Sequence, residues 1–177
     1  KILFFVLFLA ISIFTFSEFV GDNIIKGILE KNISSSIDRK TEINDLKISY
    51  LKGEAIIKKI SVNNKNFPNQ LLIIDNAFIK LRSSSIFSNI IEINSVELDG
   101  IKFNYYFNLK NSKINDNVKS LNKTIDSSKV ESSSTKQFNI EKLNINNIAI
   151  KANSPDLKID KTVSLNNMEF NNIGNTK

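Results

Sequence analysis

Cysteine, histidine and tryptophan are absent from the 177 residues, and glycine (5) and proline (2) are scarce. Without Cys or His the chain holds no Cys/His zinc site, iron–sulfur site or disulfide framework, and no thiol nucleophile or His-dependent hydrolase. Charged residues (24%) and hydrophobic ones (41%) stand near globular averages, so neither disorder nor a wholly membrane-embedded chain is indicated. Ile, Lys and Asn are the abundant types, and Asn is therefore not read as chemistry wherever it occurs. The net charge of +6 favours anionic partners. It comes mostly from lysines scattered along the chain, which suits a solvated surface or phospholipid headgroups better than a nucleic-acid groove, and no nucleic-acid partner is expected.

The longest apolar run opens the chain. Between Ile2 and Phe16 only Ser12 and Thr15 interrupt it, and a helix of that length rises ~22 Å at 1.5 Å per residue. Continuing to Val20 brings it near the ~30 Å hydrocarbon thickness. Ile2, Phe4, Phe5, Leu7, Phe8, Leu9, Ile11, Ile13, Phe14 and Phe16 thus predict a transmembrane anchor over residues 1–20. Thr15-Phe16-Ser17 is a poor small-x-small cleavage site, so an anchor is favoured over a cleaved signal. Lys1 before the run predicts a cytoplasmic N-terminus and an exported remainder.

Over residues 21–38, Ile24 and Ile28 beside the stripe Ile25, Leu29, Ile33 predict a juxtamembrane amphipathic helix. It either extends the anchor or lies across one end of the following domain.

The rest reads as strand. One spacing (apolar, two residues, apolar, one residue, apolar) recurs in Ile43-Leu46-Ile48, Ile57-Ile60-Val62, Ile74-Ala77-Ile79, Ile93-Val96-Leu98, Ile140-Leu143-Ile145 and Leu165-Met168-Phe170. A three-residue step moves a side chain to the opposite face of a strand unless a bulge resets the phase, so bent strands are expected and the inward face is left open. Turn signals fall at Lys52-Gly53, Asn63-Asn64 with Phe67-Pro68-Asn69, Asp99-Gly100 and Asn153-Ser154-Pro155-Asp156. Asp99-Gly100 carries the strongest hairpin signature, with Ile101, Phe103, Tyr105, Phe107 and Leu109 alternating cleanly after it.

The expected class is α+β, mostly antiparallel: a curved β-meander over 41–110, one further helix and a Ser/Lys-rich linker over 111–136, and more sheet over 137–174. The helix is placed by Ile114, Val118, Leu121 and Ile125. So few helices cannot cover seven or eight strands. Either the sheet closes on itself as a barrel or sandwich, or it stays an open trough floored with Ile, Leu and Phe.

No catalytic set emerges. Ser112-Lys113, Ser128-Lys129 and Ser164 near Lys161 sit in segments read as linker or turn; Glu92, Glu97 and Asp99 read as solvated strand charges. Asn115-Asp116-Asn117 lacks the Gly and distal Glu of a calcium loop. Neither enzyme, metal nor cofactor is expected.

The order of these features resembles the N-terminal region of the AsmA-like envelope proteins. The matching pieces are the strand Ile43 to Tyr50, Leu51-Lys52-Gly53-Glu54-Ala55, Ile60-Ser61-Val62-Asn63, Ile79-Lys80-Leu81 with Ser84-Ser85-Ile86-Phe87-Ser88, Ile93 through Gly100 into the strand to Leu109, and the later segments at Ile140 to Ile145 and Val163-Ser164-Leu165 to Gly174. The Asn-Pro pair usual after the second strand is missing, its nearest counterpart being Phe67-Pro68. The resemblance implies a single-pass bacterial inner-membrane protein with its domain in the periplasm, acting in outer-membrane biogenesis and related to bridge-type lipid transfer proteins. Its implied partners are the inner membrane, phospholipid and other envelope proteins met through sheet edges. On this reading Phe103, Tyr105, Phe107, Ile79, Leu81, Ile145 and Ile148 contact lipid tails. The alternative is a structural module that pairs through its sheet edges and carries no lipid.

Overall fold

The structure, a computed structural model, describes residues 21–65, 67, 69–110, 113–118 and 137–174. The transmembrane anchor predicted over 1–20 lies outside them. Among the described residues no helix is long and apolar enough to cross a membrane.

Among the described residues one α-helix, α1 (Asp22–Ile37), precedes seven strands: β1 (Thr41–Ser49), β2 (Glu54–Asn63), β3 (Gln70–Leu81), β4 (Ile90–Lys110), β5 (Lys113–Asp116), β6 (Gln137–Ser154) and β7 (Ile159–Gly174). They form one open sheet in the order β1-β2-β3-β4-β6-β7, with β5 paired to the end of β4. Strand β4, 21 residues long, spans about 65–70 Å at ~3.3 Å per residue and supports the rest.

Three expectations are corrected. The sheet is mixed: β1 to β4 and β6 with β7 are antiparallel, whereas β4 and β6 run parallel from Ile90↔Gln137 to Tyr106↔Asn153. A parallel pair needs a crossover connection rather than a tight turn, and the stretch 111–136 supplies one. Asp99-Gly100 makes no hairpin; β4 runs straight through it. The later helix is not found where it was to begin, because Lys113–Asp116 folds back on Phe107 to Lys110 as β5; residues 119–127 of that prediction lie outside the described residues.

The three-residue phase slips fall where the strands bend. Asn44, Lys59, Asp75, Gly100, Asn147 and Asn166, one residue from each of six strands, stand side by side between paired neighbours, and the register resumes unshifted beyond them. Lys59, Gly100 and Asn147 take positive φ of 52°, 70° and 53°. Each strand thus spends one residue on the same bend, which returns the following side chains to their original face. A second bend crosses Asn94, Glu141 and Asn172, the last with φ 55°.

The bends leave the sheet sided. Inward rows run Ala55-Ile79-Val96-Leu143-Phe170, Ile57-Ala77-Leu98-Ile145-Met168, Ile60-Ile74-Ile101-Ile148-Leu165 and Val62-Leu72-Phe103-Ile150-Val163. The opposite rows, such as Lys58-Asn76-Asp99-Asn146-Asn167, are largely polar. Helix α1 buries Ile25, Leu29 and Ile33 against the inward face, so it lies across one end of the domain.

The other face of α1 seals the β1 edge. Ser34 Oγ accepts from the Thr41 N–H (2.9 Å), Glu30 Oε1 accepts from the Ile43 N–H (2.7 Å), and Lys26 Nζ donates to the Asn44 carbonyl (3.1 Å). Three side chains four residues apart thereby satisfy backbone groups that an edge strand leaves open. Past the end of β5, buried Asn117 joins the parts. Its amide donates to the Asn104 carbonyl (2.6 Å), its Oδ1 accepts from the Tyr106 N–H (3.0 Å), and its carbonyl accepts from buried Arg39 (2.6 Å).

Candidate functional site

Burial along the inward rows falls away toward β7. Ile79 and Val96 are fully covered and Leu143 nearly so, while Phe170 in the same row is 43% exposed. In the next rows Ile148 is buried and Leu165 is 44% exposed, and Ile150 and Val163 are 39% and 60% exposed. Met168 between Leu165 and Phe170, and Ile173 beyond them, are half-buried. The result is a strip of apolar side chains along β7, broadening onto β6 and β4 near Ile150, Phe103 and Tyr105. From Val163 to Phe170 it runs about 23 Å at ~3.3 Å per residue. That exceeds the ~15 Å spanned by one leaflet of a bilayer whose core is ~30 Å thick. Among the described residues β7 is last in the sheet order and pairs only with β6.

The seven residues proposed for lipid contact all lie on this inward face, in two environments. Ile79, Leu81, Ile145 and Ile148 are buried in the core shared with α1. Phe103, Tyr105 and Phe107 are half-buried on the C-terminal half of β4, with Tyr105 and Phe107 stacked at 5.2 Å between centroids. Partial burial, with the Asp116 carboxylate nearby, pushes the Tyr105 phenol above its ordinary pKa. Ile150, Val163, Leu165 and Phe170, all more than a third exposed, are not among the residues that the sequence reading assigns to lipid contact. Their strand pairing places them inward-facing, and β7 ends the sheet among the described residues.

The polar candidates do not assemble. Ser164 pairs with Ala149 on the outward face whereas Lys161 pairs with Ala152 on the inward one, so this Ser and Lys point to opposite sides of β7. Glu92 is bound by Arg82, Asp99 Oδ1 accepts from Asn147 Nδ2 (2.6 Å), and Glu97 pairs with Phe78 in the outward rows. Ser112 and Ser128-Lys129 lie outside the described residues. No group of three or more acidic residues that could hold a metal occurs among the described residues. The cleft between α1 and the first strands is polar, and its Lys26 and Glu30 are already bonded to the β1 backbone.

No family model matches the chain, and no curated protein matches it.

Proposed function

We propose that this chain is an AsmA-like envelope protein, anchored in the bacterial inner membrane by residues 1–20, whose periplasmic sheet shelters phospholipid acyl chains on its open apolar strip. The observation that carries this reading is the exposure of Leu165 and Phe170 in rows that are sealed at β2 and β3, with Val163 exposed beside them. Burying a methylene is worth about 0.8 kcal/mol, and a one-walled floor returns part of that for each carbon laid on it. Contacts of this kind are non-directional, so a tail held there slides along the strip instead of locking into a pocket. The apolar run at 1–20 supplies the membrane from which such a lipid would come.

The test is a photoreactive residue placed at Leu165, on the strip, or at Ser164, on the outward face, of the full chain in bacterial cells whose lipids carry labelled phosphate. Phospholipid adducts are expected at 165 and not at 164. Adducts at neither position, or equally at both, remove the lipid reading.

A second reading is supported by the asymmetry of the edges. Side chains of α1 close the β1 edge, while β7 has no such cover among the described residues. A module that pairs through β7 would show 165-to-protein adducts in place of lipid.

A further inference from the structure

Among the described residues the inward face of the sheet carries two charged side chains: Asp116 on β5, paired with Phe107 on the far side of β4, and Lys161 on β7. Lys161 pairs with Ala152, which pairs with Tyr105, placing all three in the row next to Val163, Ile150 and Phe103. It is exposed and forms no ion pair with another of the described residues. The neighbouring lysines of β6 are on the other face and already matched: Lys151 to Asp160 (3.1 Å) and Lys142 to Glu169 (3.1 Å). The end of the strip near Lys161 is also its polar end. The Tyr105 phenol lies in the same row, and one row further Ser154 is fully buried with its hydroxyl unpartnered. At the other end Phe170 and Ile173 continue the apolar floor with no charge.

Resting on the lipid reading above, we propose that the strip is polar in direction and selective for anionic lipid, its phosphate-bearing headgroup held at Lys161 and its tail running toward Phe170. An unpaired ammonium beside an apolar floor is complementary to an amphiphile with negative charge at one end. A zwitterionic headgroup brings its own cation to the same place and gains less. An inward lysine on a last strand also discourages strand-to-strand pairing. The two roles differ in what they predict for lipids.

The experiment uses the full chain with the photoreactive residue at Leu165, reconstituted with vesicles of phosphatidylglycerol or of phosphatidylcholine. The expected result is about fivefold more adduct with phosphatidylglycerol, the equivalent of ~1 kcal/mol for one basic residue near anionic lipid. Lys161→Gln should bring the two yields together without lowering that with phosphatidylcholine, and Lys161→Arg should restore the difference. Lys47→Gln, on the outward face, should leave it unchanged. Lipids with the reactive group at the tail end should mark residues 168–173 in preference to 161–165. If Lys161→Gln forms adducts with the preference intact, or lowers both yields alike, or if Lys47→Gln acts as strongly, the headgroup assignment is wrong while the lipid reading stands. If neither lipid gives adducts with the unsubstituted Lys161, the lipid reading itself fails.

Discussion

At Gly100 the backbone takes φ of 70°, and a Cβ built there would lie 2.5 Å from Asp75 Oδ2 and 2.8 Å from its Cβ. Lys59 on β2 and Asn147 on β6 bend similarly yet carry side chains, so positive φ alone does not demand glycine at this level. The adjacent aspartate does. Gly100→Ala is therefore expected to cost about 1–3 kcal/mol, combining left-handed strain with displacement of a side chain bonded to Lys102. Urea unfolding checks it; a loss within 0.5 kcal/mol would mean that the bend tolerates an L-residue here. Asp99-Gly100 reads as a hairpin from the sequence because a primed turn and a strand bend ask for the same positive φ. The two differ only in where the next residues find hydrogen-bond partners, which no dipeptide records.

Among the elements, α1 was the most legible. Ile25, Leu29 and Ile33 stand one above another at four-residue spacing, and all three are buried. Leu29 is fully buried, so Leu29→Ala should destabilise the fold by about 2–5 kcal/mol, measurable as a lower urea midpoint with an unchanged slope. A cost below 1 kcal/mol would mean that α1 is only loosely docked. The helix runs to Ile37, with Asp38 in the left-handed cap position. The pairing of β4 with β6 was less legible. Their alternation suits either direction, and the stretch 111–136 reads in sequence as a helix and linker, which does not fix the direction of β6.

At the scale of the whole molecule, eight ion pairs join largely exposed side chains among the described residues. Hydrogen bonds from lysines hold the carboxyls of Asp38 (Lys65), Glu42 (Lys40) and Glu169 (Lys142) below their ordinary values of 3.8, 4.5 and 4.5. A depressed carboxyl binds fewer protons folded than unfolded, so its contribution is complete above the ordinary value and is lost as pH falls through and below it. Thermal stability should therefore be flat from about pH 7 to 5 and decline below about pH 4, modestly, since these pairs are exposed. Salt near 1 M should lessen the decline. A stability that rises on acidification would contradict the pairing.

The sequence by itself determined the alternation, the repeated three-residue slip and the helical stripe, because side-chain direction follows local backbone period. It therefore determined which residues can share a face, including the three-quarters of the strip made by Val163, Leu165 and Phe170 beside Ile150. Only the tertiary structure decided that the bends of six strands line up, that β4 meets β6 in parallel, and that β1 is sealed by Lys26, Glu30 and Ser34 while β7 ends the sheet. Those outcomes depend on which distant strand supplies each hydrogen bond. The exposure of Phe170, against the complete burial of Ile79 in the same row, follows from position in the sheet and not from residue type.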